Sequence, residues 1–151
     1  MDIADAVKRL GQDIGLPLQL DHNRACRLVF DGRIEVDIEA PEGQRGVLHL
    51  SCALAPVPTG AREPLYEALL EANLFGRGTG GAVLGLDKSF NEIVLTRTLS
   101  MDDLYYQDFV KAIEQLVLYA GTWIERIASF AHGTAPKASS DEASAMPMIR
   151  I

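Results

Sequence analysis

Apolar residues recur along this chain with two different periods, and the switches between them mark its elements. Ile3, Val7, Leu10 and Ile14 fall three and four apart, the spacing of one helical face, with Asp2 placed to cap the helix start. Gly15 suits the position just past the helix end, and Pro17 blocks continuation. The period then drops to two. Cys26, Leu28 and Phe30 alternate with Arg27 and Val29, and after the turn Asp31-Gly32-Arg33, Ile34, Val36 and Ile38 alternate with Glu35, Asp37 and Glu39. Pro41-Glu42-Gly43 makes another turn, and Leu48, Leu50, Cys52 and Leu54 then alternate with Val47, His49, Ser51 and Ala53. Three strands joined by short turns predict an antiparallel meander.

The segment from Ala55 to Gly60 breaks this pattern, and Pro64 fits the first turn of a second helix. Its apolar positions Leu65, Leu69, Leu70 and Leu74 spread over more than one face, so the helix wants two neighbours. Gly76 reads as its C-cap, followed by a flexible glycine connection that lets two backbones approach closely. A hairpin is expected next. Ala82, Leu84 and Leu86 share a face, Asp87–Asn91 turns, and Ile93, Leu95 and Leu99 return with Arg97 interrupting that face. Ser100 with Asp103 resembles a capping box opening a helix of about 45 Å that runs to Phe130. Phe109, Ile113, Leu116, Ala120, Trp123 and Ile127 form its stripe, expected to pack on the sheet.

The order α-β-β-β-α-β-β-α predicts an α+β domain, an antiparallel sheet packed against helices, over residues 1–132. Residues 133–151 are rich in Ala, Ser and Pro and are expected to be a disordered tail with an apolar end, Met146-Pro147-Met148-Ile149-Arg150-Ile151.

With 151 residues the chain can bury a core without staples, and Cys26 and Cys52, lacking CxxC spacing, read as free thiols. A net charge of −7 argues against nucleic acid as a partner, because phosphate neutralisation needs clustered Lys and Arg. No apolar run reaches the ~20 residues of a membrane span. The opening MDIADAVKRLG lacks the basic start and apolar core of a signal peptide, so a cytoplasmic location is expected.

Candidate chemistry is sparse. The stretch Gly76-Arg77-Gly78-Thr79-Gly80-Gly81 suggests a phosphate cradle, but it follows a helix and enters a strand. Phosphate loops run the other way, into a helix start. His22, His49 and His132 share no metal-ligand spacing, and no GxSxG elbow occurs. Glu35, Asp37 and Glu39 line one strand face and read as the wet side of the sheet. Neither an enzyme, a cofactor nor a metal is expected.

The stretch LYEALLEANLFGRGTGGAVLGLDKSFNEIVLTRTL, Leu65 to Leu99, resembles the central signature of the class I type III secretion chaperones, the Tir chaperone (CesT-like) family. The resemblance is most specific there and extends loosely over residues 1–130. It implies a small, acidic, homodimeric bacterial chaperone, cytoplasmic and without ATPase activity. Such a protein holds the N-terminal region of secreted effectors in extended form, with the secretion-apparatus ATPase as a further partner. It also implies a dimer interface at Leu65, Leu69, Leu74, Phe75 and Val83. Alternation, with the family's habit of wrapping its clients, nominates Ile3, Val7, Leu10, Val29 and Val47 for effector binding. The alternative is a stand-alone regulatory or ligand-binding α+β domain, with a pocket between sheet and long helix.

Overall fold

In the computed structural model, which describes residues 1–133, helix α1 (Ile3–Ile14) begins and ends where its sequence signals stand. The Asp5 N–H donates to Asp2 Oδ1 at 3.0 Å. Gly15 takes φ +74°, and the N–H of Leu16 returns to the Gly11 carbonyl at 2.8 Å, which closes the last turn.

Strands β1 (Ala25–Phe30), β2 (Ile34–Glu39) and β3 (Val47–Pro56) form the expected meander. Helix α2 (Arg62–Asn73) and a 3₁₀ turn at Leu74–Gly76 lead into the hairpin β4 (Val83–Asp87) and β5 (Glu92–Ser100). Helix α3 (Tyr106–Ala131) closes the fold. Meander and hairpin join into one antiparallel five-stranded sheet of order β1-β2-β3-β5-β4. The seam is the pairing of β3 with β5, from Val47 opposite Ser100 to Pro56 opposite Glu92. The edges are therefore β1 and β4.

Alternation puts Leu28, Val36, Leu50, Cys52 and Leu95 on one buried face. Helices α1 and α3 cover it, with Val7, Phe109, Ile113, Leu116 and Trp123 all buried in the same cluster. The stripe predicted for the last helix is thus its sheet-packing face. Arg97, on the covered face of β5, is accommodated by donating to Gln115 Oε1 on α3 at 2.7 Å. The opposite sheet face carries Arg27, Asp37, Ser51 and Thr96 in one cross-strand row.

Two boundaries differ from the sequence reading. Ser100 does not cap α3; it is the last residue of β5, opposite Val47. Extending the ladder claims Ser100, and the chain then needs residues 101–105 to cross from the sheet layer to the helix layer. That crossing is pinned by the Met101 N–H to the Gly46 carbonyl at 2.8 Å and by the Met1 ammonium to the Met101 carbonyl at 3.0 Å. Helix α3 starts at Tyr106 without a side-chain cap and spans about 39 Å rather than 45. Helix α2, likewise, ends before Gly76. Its last residue is Asn73, and Phe75 at φ +56° then turns the chain through the left-handed region. The expectation of a disordered tail with an apolar end falls on residues outside those described.

Candidate functional site

The glycine loop is a packed structural joint. A Cβ on Gly78 would stand 2.7 Å from that of Ala72 in α2, and one on Gly80 would collide with the Tyr119 ring in α3. The Gly78 carbonyl accepts the indole N–H of Trp123 at 2.8 Å. The expected close approach of backbones is seen at Gly76 against Gly81 and at Gly78 against Ala72. The N–H groups of Arg77, Gly78, Thr79 and Gly81 donate to the carbonyls of Leu74, Ala72, Gly76 and Gly76 respectively. A phosphate cradle would need those donors free.

The same region closes one edge of the sheet. Leu84 of β4 donates its N–H to Asn73 Oδ1 at 2.8 Å, and its carbonyl accepts Asn73 Nδ2–H at 2.9 Å. The side-chain amide imitates a neighbouring strand. Two residues earlier the Ala82 N–H donates to the Thr79 carbonyl, and the Ala82 carbonyl accepts the hydroxyl of the buried Thr79 at 2.6 Å. An edge closed this way resists strand addition over Ala82–Leu84.

At β1 the opposite holds. Ala25 pairs with Glu39, so Arg24 stands opposite Ala40, and the Ala40 N–H donates to the Arg24 carbonyl at 3.1 Å. Antiparallel alternation then turns the even-numbered residues of β1 toward β2 and the odd ones outward. Ala25 is satisfied locally by Asp21, whose N–H donates to the Ala25 carbonyl and whose Oδ1 accepts the Ala25 N–H. That bond, reinforced by the Asn23 N–H, holds the Asp21 carboxyl below its ordinary pKa. Among the described residues the N–H and C=O of Arg27 and Val29 remain as an open edge of four main-chain groups.

Side chains give this edge a definite character. The Arg27 guanidinium forks onto Asp37 at 2.6 and 2.8 Å and reaches Glu35 at 3.2 Å. Asp37 chiefly, with Glu35 adding, raises the affinity of Arg27 for its proton. Val29 beside it is 47% exposed. An added strand would find main-chain partners, an apolar side chain and a charged row.

A second surface surrounds the α2–β4 junction. Leu70, Leu74, Phe75 and Val83 are 72, 53, 84 and 56% exposed. Leu74 follows Asn73 and Val83 precedes Leu84, so the Asn73–Leu84 clasp holds helix end and strand together beneath them. Exposed apolar surface gathered at one junction marks an interaction site.

The residues nominated from sequence divide accordingly. Leu74, Phe75 and Val83 lie on the α2–β4 surface, whereas Leu65 and Leu69 point into the chain's own core. The exposed partner in that helix is Leu70, already visible in the sequence as one of the positions spread around it. Ile3, Val7 and Leu10 are corrected: all three are buried, because α1 lies on the covered face of the sheet and its stripe serves the core. Val29 and Val47 are both on the open face, but only Val29 belongs to the open edge; Val47 is half-buried in β3 opposite Ser100. Sequence reasoning missed Asn73 and Thr79, whose role as edge closers has no periodic signature.

Reactive chemistry is muted around both surfaces. Cys52 is buried and its pKa is pushed up to about 12 by desolvation, so the thiol stays protonated at neutral pH. Among the described residues no group of three or more His, Cys, Asp or Glu is placed to hold a metal ion. No helix among them is long and apolar enough to cross a membrane.

Four similarities to known proteins bear on this arrangement. Residues 5–124 match the model of the Tir chaperone protein (CesT) family. A Chlamydia pneumoniae protein, CPj0713/CpB0740, is 37% identical over 107 residues, which are 71% of this chain and 80% of that protein. Among solved structures, a chain of the ExsC–ExsE complex superposes with TM-score 0.70 at 21% identity, over 84% of this chain and 97% of that one. A chain of the Yersinia pestis complex between the type III secretion chaperone SycH and a stable fragment of YscM2 gives 0.63 at 18% identity, over 80 and 98%. At these identities the structural matches speak for the fold.

Proposed function

The chain belongs to the Tir chaperone protein (CesT) family, and from that premise we propose that it is a cytoplasmic, homodimeric type III secretion chaperone. It holds the N-terminal region of a secreted effector in extended form and performs no chemistry on it. The observation that carries this reading is the asymmetry of the sheet: the start of the β4 edge is closed, by Asn73 at Leu84 and by Thr79 at the preceding Ala82, whereas among the described residues β1 is open at Arg27 and Val29. An extended client segment adds to β1, drawing register from main-chain hydrogen bonds and selectivity from side chains on its two faces. The exposed surface around Leu70, Leu74, Phe75 and Val83 serves the second protomer, through one patch repeated about a two-fold axis. Residues 1–132 act as the chaperone domain.

Co-expression with the N-terminal segment of a candidate effector tests this reading. The segment should become soluble and co-purify with the chain. Val29→Pro is the informative variant, since the Val29 N–H points away from β2 and its loss leaves the internal ladder intact. Removing that donor costs about 1 kcal/mol of client binding, and the ring crowds the incoming strand, so retention should fall roughly tenfold. Secreted segments that never co-purify, or full retention by Val29→Pro, would overturn the proposal.

A further inference from the structure

We propose that Asp21 is a specificity-determining residue of the β1 edge. It stops the client strand at Ala25, so that the edge accepts two hydrogen-bonding client residues, two positions apart. The inference rests on the reading that a client adds to β1, and it names the segment such an edge can take.

The stop is made of one carboxylate and a tight turn. Asp21 donates its N–H to the Ala25 carbonyl at 2.8 Å and accepts the Ala25 N–H on Oδ1 at 2.9 Å, so both outward groups of Ala25 are engaged. The same oxygen takes the Asn23 N–H at 2.8 Å, and the Arg24 N–H donates to the Asp21 carbonyl at 3.0 Å. Arg24 holds φ +57°, a left-handed conformation uncommon for a residue with a side chain. It is fixed to the residue after β2 twice over. Its carbonyl accepts the Ala40 N–H and its Nε–H donates to the Ala40 carbonyl, each at 3.1 Å. The turn that carries Asp21 is thereby tied to the sheet.

The other end of β1 closes as abruptly. Asp31 and Gly32 take φ +51° and +67°, and the Arg33 N–H returns to the Phe30 carbonyl at 3.1 Å. Between stop and turn, among the described residues, Arg27 and Val29 alone present free main-chain groups outward, with Cα atoms about 7 Å apart.

That window defines its occupant. In a client strand running antiparallel, as every pair of this sheet does, two residues flanking a third exchange main-chain bonds with Val29 and Arg27. Directly opposed residues share a face. The first client side chain therefore lies beside the exposed Val29, and the last beside Arg27, whose guanidinium is already held by Asp37 and Glu35. The middle one falls on the covered face beside buried Leu28 and suits an apolar residue. Proline is excluded at both flanking positions and accepted at the middle one, whose nitrogen faces away from β1. Past its partner to Arg27, the client meets Asp21 at Ala25 and must leave the plane of the sheet.

Residue-resolved hydrogen exchange on the full chain, free and with a co-purified N-terminal effector segment, tests the stop in Asp21→Ala and Asp21→Asn. In the free chain the Ala25 amide should exchange roughly tenfold faster in Asp21→Ala, and Asp21→Asn, which keeps an accepting oxygen, should restore most of the protection. The Leu28 amide, directed toward β2, should be equal in all three and so reports that the domain is folded. With the segment bound, Arg27 and Val29 should slow roughly tenfold or more in every chain. Ala25 should slow further only in Asp21→Ala, where the client reaches the freed N–H. Proline scanning of the segment should find two sensitive positions flanking a tolerant one. Ala25 unmoved by the segment in Asp21→Ala, while Arg27 and Val29 slow, would overturn this inference and leave the chaperone reading standing. Arg27 and Val29 unmoved in every chain would overturn that reading, and the stop with it.

Discussion

Trp123→Ala should lower the folding stability of this domain by about 3–5 kcal/mol, a large part of what a domain of this size possesses. Trp123 is fully buried at the middle of the α3 stripe, with the Arg126 guanidinium 4.2 Å from its ring centroid. Truncation removes that packing and also strips the Gly78 carbonyl of its indole partner at 2.8 Å. Both losses fall on the joint that holds the glycine loop, and through it Asn73 and the closed edge. A thermal melt should show a drop of about 10–20 °C. Trp123→Phe should recover part of the loss, since it keeps one aromatic ring in the core and forfeits the indole hydrogen bond and the volume of the second ring. An unchanged melting temperature for Trp123→Ala would contradict the packing described.

Leu74→Asp combined with Phe75→Asp should convert the homodimer into a folded monomer. Buried apolar anchors at the centre of an interface contribute about 2 kcal/mol each, and the two-fold axis repeats both changes in the second protomer, so association should weaken by more than about a thousandfold. Sedimentation at micromolar concentration should then give the mass of one chain, with the helical content unchanged. Leu69→Asp would behave differently, because Leu69 is only 6% exposed and a charge there disrupts the protomer's own core. A double variant that stays dimeric would move the interface away from the α2–β4 junction.

Much of the architecture was legible because it rests on periodicity. The α1 stripe, the three alternating strands, the hairpin and the α3 stripe each came from one repeat length, and each is an element of the fold. Where tertiary partners decide, the sequence was silent. Whether Ser100 caps a helix or extends a strand depends on Val47, about a third of the chain away. The closed edge depends on one asparagine amide reaching Leu84, which no spacing rule singles out. Surface and core were confused for a related reason. An apolar stripe at helical spacing says that one face is buried but not what buries it, so Ile3, Val7 and Leu10 looked available to a client although the sheet already covers them. The exposure of Val29 was legible because it broke the alternation, an apolar residue on the polar side of its strand.

The central claim is that an extended effector segment is held along β1. Residue-resolved hydrogen exchange on the full chain, with and without a bound effector segment, tests it most directly, because the outward amides of β1 report a client strand at that edge. Binding should slow the Arg27 and Val29 amides at least tenfold and leave the α2–β4 surface to the second protomer. Slowing confined to α2 or α3, with Arg27 and Val29 unchanged, would contradict the account.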